Sequence, residues 1–227
     1  HRASLLDTIR RKRETTTGIN RTNEGGWHSD VDLPSWDSPA VAALMAFIAD
    51  SCDRAVAELN GVDVDWRKAP WRTQAWANVN PPGGALNRLH DHIQMNWQLS
   101  GCYYARIDEP APDAEDKGRL ILENHWTGLA LATGSETRGR GDAYVPKEGQ
   151  FVLFPSWQHH RVEPHAGPGD RVTIAINLFA KELERSRFWT HKSGVIERRV
   201  PALVRGLRRL TGRRAHEGSG APWGFDI

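Results

Sequence analysis

The run Arg171-Val172-Thr173-Ile174-Ala175-Ile176-Asn177-Leu178 constrains the fold more than any other part of the chain. At a period of two, Arg171, Thr173, Ala175 and Asn177 share one face of a strand, and Val172, Ile174, Ile176 and Leu178 share the other. The apolar face must be buried. The other face carries a guanidinium, a hydroxyl and an amide, so it either meets water or lines a polar cavity. In a cavity, Arg171 can hold a carboxylate through two parallel charge-assisted hydrogen bonds, with the Thr173 hydroxyl as a neighbouring donor. Short β-type runs continue from Trp71 to Phe179. They are punctuated by turn signals at Pro81-Pro82-Gly83-Gly84, Pro110-Ala111-Pro112-Asp113 and Gly167-Pro168-Gly169-Asp170, and no internal repeat is present.

A second pattern points to metal. In His90-Asp91-His92, read as extended chain, the two histidines point the same way and stand roughly 6–7 Å apart at the backbone. Both imidazoles can therefore reach one ion. Asp91 points the opposite way, so a His90-Asp91 pair would need a bulge to converge. A third ligand should come from a distant strand. Phe151-Val152-Leu153-Phe154-Pro155 is an apolar strand ending in a turn before His159 and His160. Neighbouring strand residues face opposite sides, so spacing alone leaves the choice between those two histidines open. A metal site with open positions and an anion anchor beside it suits oxidative chemistry. Tyr103 and Tyr104 straddle a strand, which places one of them toward the cavity, and Tyr104 is the candidate contact to a bound cosubstrate.

The motifs Trp76-Ala77-Asn78-Val79-Asn80-Pro81-Pro82-Gly83-Gly84, Asn87-Arg88-Leu89-His90-Asp91-His92, Ser100-Gly101-Cys102-Tyr103-Tyr104, Phe154 to Pro164 and Arg171 to Asn177 occur in one order at plausible intervals. Together they resemble a bacterial group of 2-oxoglutarate- and Fe(II)-dependent oxygenases over roughly residues 70–180. Gly26-Trp27-His28-Ser29 fits the same group more weakly. The resemblance implies a mainly β fold with flanking helices around a double-stranded β-helix, the cupin-like jelly roll. It implies Fe(II) on His90, His92 and His160, which selects His160 over His159. It also implies 2-oxoglutarate with its far carboxylate on Arg171, helped by Thr173, and Tyr104 and Asn78 are further candidate contacts to that cosubstrate. The wider superfamily usually has His-x-Asp or His-x-Glu where this chain has His-x-His. A neutral imidazole in place of a carboxylate leaves one more positive charge at the metal and shifts how Fe(II) is held.

The expected activity is therefore hydroxylation of a small-molecule or amino-acid-type substrate, free or attached to a carrier or peptide, with release of succinate and CO2. Trp97, His125, Trp126, Arg138 and Arg140 are the candidate substrate contacts, and Trp157 is a further candidate for the pocket wall. The two arginines lie in the glycine-rich run from Thr127 to Ala143, which has the length and composition of a lid. No catalytic group beyond the metal ligands is expected. Two other classes compete with this reading. One is a three-histidine, cupin-like dioxygenase or isomerase that does not use 2-oxoglutarate, and the other is a non-catalytic jelly-roll binding module. His28, His125, His159, His165 and His191 read otherwise as structural or solvated, and Cys102 as a small core residue.

A chain of 227 residues can bury roughly 70% of its unfolded surface, enough for a core without disulfides. Only two cysteines, Cys52 and Cys102, and no long apolar run point to the cytoplasm and to the absence of a transmembrane segment. One oxygenase domain is expected to span residues 1–227, with an arm and helices in 1–69, the β core in 70–180 and a basic extension in 181–227. Within the first part, Leu5 to Arg13 suggests a helix followed by an irregular arm. Ser38-Pro39 then opens a helix whose stripe of Val41, Leu44, Ile48, Cys52, Val56 and Leu59 runs to Gly61. That stripe would serve equally against the chain's own core or in a homodimer. The extension combines many Lys and Arg with an apolar stripe at Val200, Leu203, Val204, Leu207 and Leu210, which suits docking on its own domain, an acidic partner or a membrane surface. A net charge of +2 and the lack of a recognition motif argue against nucleic acid.

Overall fold

The computed structural model describes residues 1–60, 71–93, 97–108, 118–123, 142–145 and 147–179. All of them fall within one compact unit, His1–Ala180. The basic extension, the proposed substrate contacts His125, Trp126, Arg138 and Arg140, and His191 lie outside the described residues.

Among the described residues there are two helices, α1 (Arg2–Thr15) and α2 (Pro39–Asn60), with a single 3-10 turn at Leu33–Ser35 between them. Ten strands make up the rest: β1 (Asn23–Glu24), β2 (Trp27–His28), β3 (Arg72–Asn80), β4 (Ala85–His90), β5 (Leu99–Arg106), β6 (Leu120–Leu122), β7 (Asp142–Tyr144), β8 (Phe151–Pro155), β9 (His160–His165) and β10 (Arg171–Phe179). They form two five-stranded antiparallel sheets, ordered β2-β3-β10-β5-β8 and β1-β4-β9-β6-β7. This is a jelly roll. The arm after α1 is more regular than the sequence suggests, because β1 pairs with β4 and β2 pairs with β3. Asp142 and Ala143, at the end of the glycine-rich run, belong to β7 rather than to a loop.

Sequence pattern explains the layering. On β10 the apolar residues Val172, Ile174, Ile176 and Leu178 join one buried cluster with Val41, Leu44, Ile48 and Cys52 of α2 and Leu5 and Ile9 of α1. Ala75, Ala77 and Val79 of β3 face the same cluster. Each fully buried aliphatic side chain of this kind contributes about 1.5–3 kcal/mol. Pro39 sits at the first helical position of α2, where its missing N–H costs nothing. The Ser38 carbonyl accepts the Ala42 N–H at 3.0 Å, and the Ser38 hydroxyl meets Thr8 Oγ1 of α1 at 3.2 Å. The helix pair thus covers the outer face of the longer sheet and leaves its inner face free for polar residues.

One glycine is required by packing within that sheet. A Cβ on Gly101 would stand 2.7 Å from the Phe151 ring and 2.8 Å from the Val152 carbonyl oxygen. Only glycine lets β5 and β8 approach so closely, which accounts for its place beside Ser100.

Candidate active site

The inner face of the longer sheet is a set of registered rows. Thr173 of β10 pairs with Asn78 on one side and Tyr104 on the other. Ala175 pairs with Trp76 and Cys102, and Asn177 with Gln74 and Ser100. Arg171 stands one row further along, opposite Asn80. Of these, Gln74, Trp76, Asn78, Cys102, Arg171, Thr173, Ala175 and Asn177 wall a cavity of about 510 Å³ whose opposite wall includes His90, His92 and His160, a size suited to small-molecule sites.

Arg171 is 1% exposed. Its Nε donates to the Gly118 carbonyl at 3.1 Å, and Nη1 lies 3.5 Å from Thr173 Oγ1. Gly118 has φ +60°, and a Cβ there would sit 3.3 Å from Arg171 Cδ, so a bare backbone is what allows the arginine to tuck in. Nη2 has no hydrogen-bond partner, and neither does the hydroxyl of Tyr104 or Oδ1 of Asn78. The guanidinium carbon is 5.3 Å from the centre of the Tyr104 ring. Burial pushes the Tyr104 hydroxyl's pKa up, so it stays an O–H donor. A buried guanidinium without an anion costs several kcal/mol, and two unused donors on neighbouring rows fit a carboxylate.

The histidines come from the other sheet. His90 ends β4, His160 begins β9, and the two are direct partners across the ladder. His92 lies beyond the end of β4 rather than within it, and its N–H donates to the Ser156 carbonyl at 2.9 Å. The ring centres are 4.2 Å apart for His90 and His160, 5.0 Å for His90 and His92, and 5.1 Å for His92 and His160. One ring nitrogen from each lies within 4.8 Å of those of the other two. His90 Nδ1 meets the Arg88 carbonyl at 2.6 Å and His160 Nδ1 meets the Gln158 carbonyl at 2.8 Å. Those bonds fix Nδ1 as the protonated nitrogen and leave the Nε2 lone pairs for a metal. Burial lowers the pKa of all three, His92 and His160 to about 3. The rings are therefore neutral near pH 7, the form that ligates. Asp91 turns away, with Oδ2 3.2 Å from His159 Nε2 and Oδ1 accepting the Ile93 N–H. The donor set fits a divalent transition metal.

The sequence of residues 74–177 matches the family described as "Putative 2OG-Fe(II) oxygenase". Over that stretch the chain is similar to that family. Fe(II) and 2-oxoglutarate are the cofactors that this likeness implies. No curated protein matches the sequence. Among solved structures, a prolyl-4-hydroxylase from Pseudomonas putida is 19% identical, with a TM-score of 0.53, covering 78% of this chain and 84% of that one. A prolyl hydroxylase from Trichoplax adhaerens, in complex with a peptide fragment of the hypoxia inducible factor oxygen degradation domain, is 15% identical with a TM-score of 0.52, covering 83% and 82%. At such identities the likeness is one of fold.

Several residues of the cavity escape a motif reading. His28 is neither solvated nor purely structural. It is 5% exposed, lines the cavity and stacks on Trp76 with ring centres 5.4 Å apart. Strand β2 puts it there, a pairing too short to read from sequence. Cys102 packs against the buried cluster of Tyr104, Leu120, Val152 and Phe154, as a small core residue would, and also borders the cavity, because it shares the inner face with Ser100 and Tyr104. Trp97 does line the cavity, whereas Trp157 is 50% exposed and takes no part in the wall. Its place in the turn after β8 carries it out to solvent. His165 is buried, with Nε2 2.7 Å from the Gly169 carbonyl.

Three motif serines and amides meet in a way no single motif reveals. Ser100 Oγ donates to Asn177 Oδ1 at 2.8 Å and lies 3.1 Å from Ser156 Oγ. All three residues are at most 3% exposed. Since the Ser156 carbonyl holds His92, this buried chain joins the cavity floor to the histidine cluster.

Proposed function

We propose that the protein is a 2-oxoglutarate-dependent hydroxylase in which His90, His92 and His160 hold Fe(II), and Arg171 binds the far carboxylate of 2-oxoglutarate. Tyr104, Thr173 and Asn78 complete that end of the cosubstrate site. The observation that carries the proposal is the buried, unpartnered Nη2 of Arg171, set in the same cavity as three converging neutral imidazoles. With iron and cosubstrate bound, the chemistry supplied is oxidative decarboxylation of 2-oxoglutarate by dioxygen, coupled to hydroxylation of a substrate C–H bond with release of succinate and CO2.

The chain's own residues do the orienting. Carbonyls of Arg88 and Gln158 hold two imidazoles with Nε2 facing the shared centre, and the Ser156 carbonyl fixes the backbone of the third. Arg171 and Tyr104 set the direction in which a keto acid enters, leaving its keto-acid end toward the histidines. The Trp76 and His28 rings supply a flat wall for substrate, and excluding water there strengthens each polar contact. Two solved structures of like fold are prolyl hydroxylases, one of them in complex with a peptide, so a peptide-borne or free amino-acid-type substrate belongs with this reading.

Anaerobic addition of Fe(II) and then 2-oxoglutarate to the metal-free protein tests it. A visible charge-transfer band of the chelated keto acid, lost in Arg171→Ala, is expected. Metal binding with no such band would replace the proposal with a three-histidine enzyme that does not use 2-oxoglutarate, a ligand set favoured by the turn of Asp91 onto His159.

A further inference from the structure

The end of the cavity away from Arg171 carries donors that the cosubstrate leaves unused. Gln74 and Asn177 are register partners, six residues along β10 from Arg171, or about 20 Å at the usual rise of a strand. Between the two ends stands Trp76, whose ring centre is 5.8 Å from that of His92. The histidine cluster thus lies between an anion site at one end and a second polar pocket at the other.

That second pocket is built from donors. Trp97 lines the cavity and is 9% exposed, and its indole Nε1 has no partner. A buried N–H left unpaired costs about 1–3 kcal/mol and calls for an explanation. Gln74 also lines the cavity and accepts only a long 3.5 Å contact from Asn177 Nδ2 through its Oε1, leaving its amide N–H groups as donors. Two residues earlier on the same face of β3, Arg72 has its guanidinium carbon 4.7 Å from the Trp97 ring centre and 5.3 Å from that of Phe179. Stacking on ring faces holds the guanidinium plane and leaves its N–H edge open to an acceptor. Among the described residues no carboxylate pairs with Arg72, and the one acid in the cavity wall, Asp91, is engaged by His159.

We infer that this end is a substrate subsite for a carboxylate, received by the Trp97 indole N–H, the Gln74 amide and the edge of the Arg72 guanidinium. The substrate is then an acid whose apolar body lies along Trp76 and Phe154, with a C–H bond brought toward the three histidines. The inference rests on the oxygenase reading only in calling that acid the substrate.

Calorimetry under argon on the protein loaded with Fe(II) and saturating 2-oxoglutarate tests it, with N-acetyl-L-leucine and its isosteric amide, N-acetyl-L-leucinamide, as probes. The acid is expected to bind at least about tenfold tighter than the amide, the factor due to hydrogen bonds that gain a charged acceptor. Arg72→Gln, at an exposed position, should remove most of that preference and leave the amide's affinity unchanged. Trp97→Phe, which keeps a ring beneath Arg72 and deletes the N–H, should weaken the acid alone. Equal affinities, a preference that survives both substitutions, or no binding of either probe at millimolar concentration would overturn the subsite; the last two results would mark the indole N–H as a water site only. Loss of the keto-acid band with acid preference intact would instead sink the oxygenase reading and leave the subsite standing.

Discussion

The two sheets of the jelly roll divide the work unequally. In the sheet ordered β2-β3-β10-β5-β8, β10 pairs with β3 without a break from Arg171 to Phe179, and its outer face is sealed by α1 and α2. In the sheet ordered β1-β4-β9-β6-β7, β4 and β9 change register twice, between Ala85 and Asn87 and again between Asn87 and His90. Its outer side carries an exposed Leu89 and surface ion pairs such as Arg161 with Glu123. The first sheet shifts register once, between Val172 and Thr173 where β10 meets β5, but its β3–β10 ladder is unbroken and spaces an arginine, a threonine and an amide. The irregular one re-aims side chains, as bulges do, and that is where three imidazoles must converge. On the proposed function, anion binding falls on the wall with the unbroken β3–β10 ladder, the rigid wall, and metal binding on the more irregular one.

The sharpest way to break this division is to remove one function at a time. His160→Ala should reduce Co(II) or Fe(II) affinity by at least about 100-fold, the upper end of what losing only a supporting partner does. The affinity of N-acetyl-L-leucine, a metal-independent probe for the end of the cavity formed by Gln74 and Trp97, should change little, since that end belongs to the other sheet. Arg171→Ala should weaken 2-oxoglutarate binding by about 2–5 kcal/mol, the range for stripping a buried charge of its partner, while metal affinity and melting temperature stay near the parent's. Metal affinity that fell together with cosubstrate affinity would show that the two walls do not act separately. Arg171→Lys sharpens the point, because a point charge cannot replace a two-pronged contact.

Ser100→Ala tests the link between the walls. It leaves Asn177 Oδ1 and Ser156 Oγ without their shared partner, a loss of about 1–3 kcal/mol in stability. Because the carbonyl of Ser156 holds the N–H of His92, metal affinity should fall as well, by less than in His160→Ala. A variant with lower melting temperature and unchanged metal affinity would confine the network to stability.

How far the sequence foretells this follows from the same contrast. The strict alternation of Arg171 to Leu178 specifies both the buried face and the polar one, and the helical stripe from Val41 to Cys52 specifies what covers it. Those are local periodicities. Convergence of His90, His92 and His160 depends on register shifts between strands far apart in the chain, which no local pattern encodes; only the family likeness of the motifs points there. His28 defeats a local reading for the reverse reason. It looks ordinary in its own segment and acquires a cavity position only from its strand partner, Asn78. Trp157 errs the other way, since proximity to a motif does not decide which side of a turn a side chain leaves from.

The smallest expected effect asks whether the irregular sheet's surface matters to the anion site at all. Arg119 and Glu163 form a two-pronged ion pair at 2.6 and 2.9 Å, with side chains 33% and 14% exposed. A pair so open to solvent is worth about 0–1 kcal/mol. Arg119 follows Gly118, whose carbonyl anchors Arg171, but Gly118 is itself held by its N–H to the Pro164 carbonyl and the Arg119 carbonyl by the Glu163 N–H. Backbone bonds survive side-chain truncation, so Arg119→Ala should lower the unfolding free energy by no more than about 1 kcal/mol and leave 2-oxoglutarate affinity unchanged. A clear loss of cosubstrate affinity in this variant would mean that the Arg171 anchor depends on surface charge from the opposite sheet, and the rigid wall would no longer be the whole of the anion site.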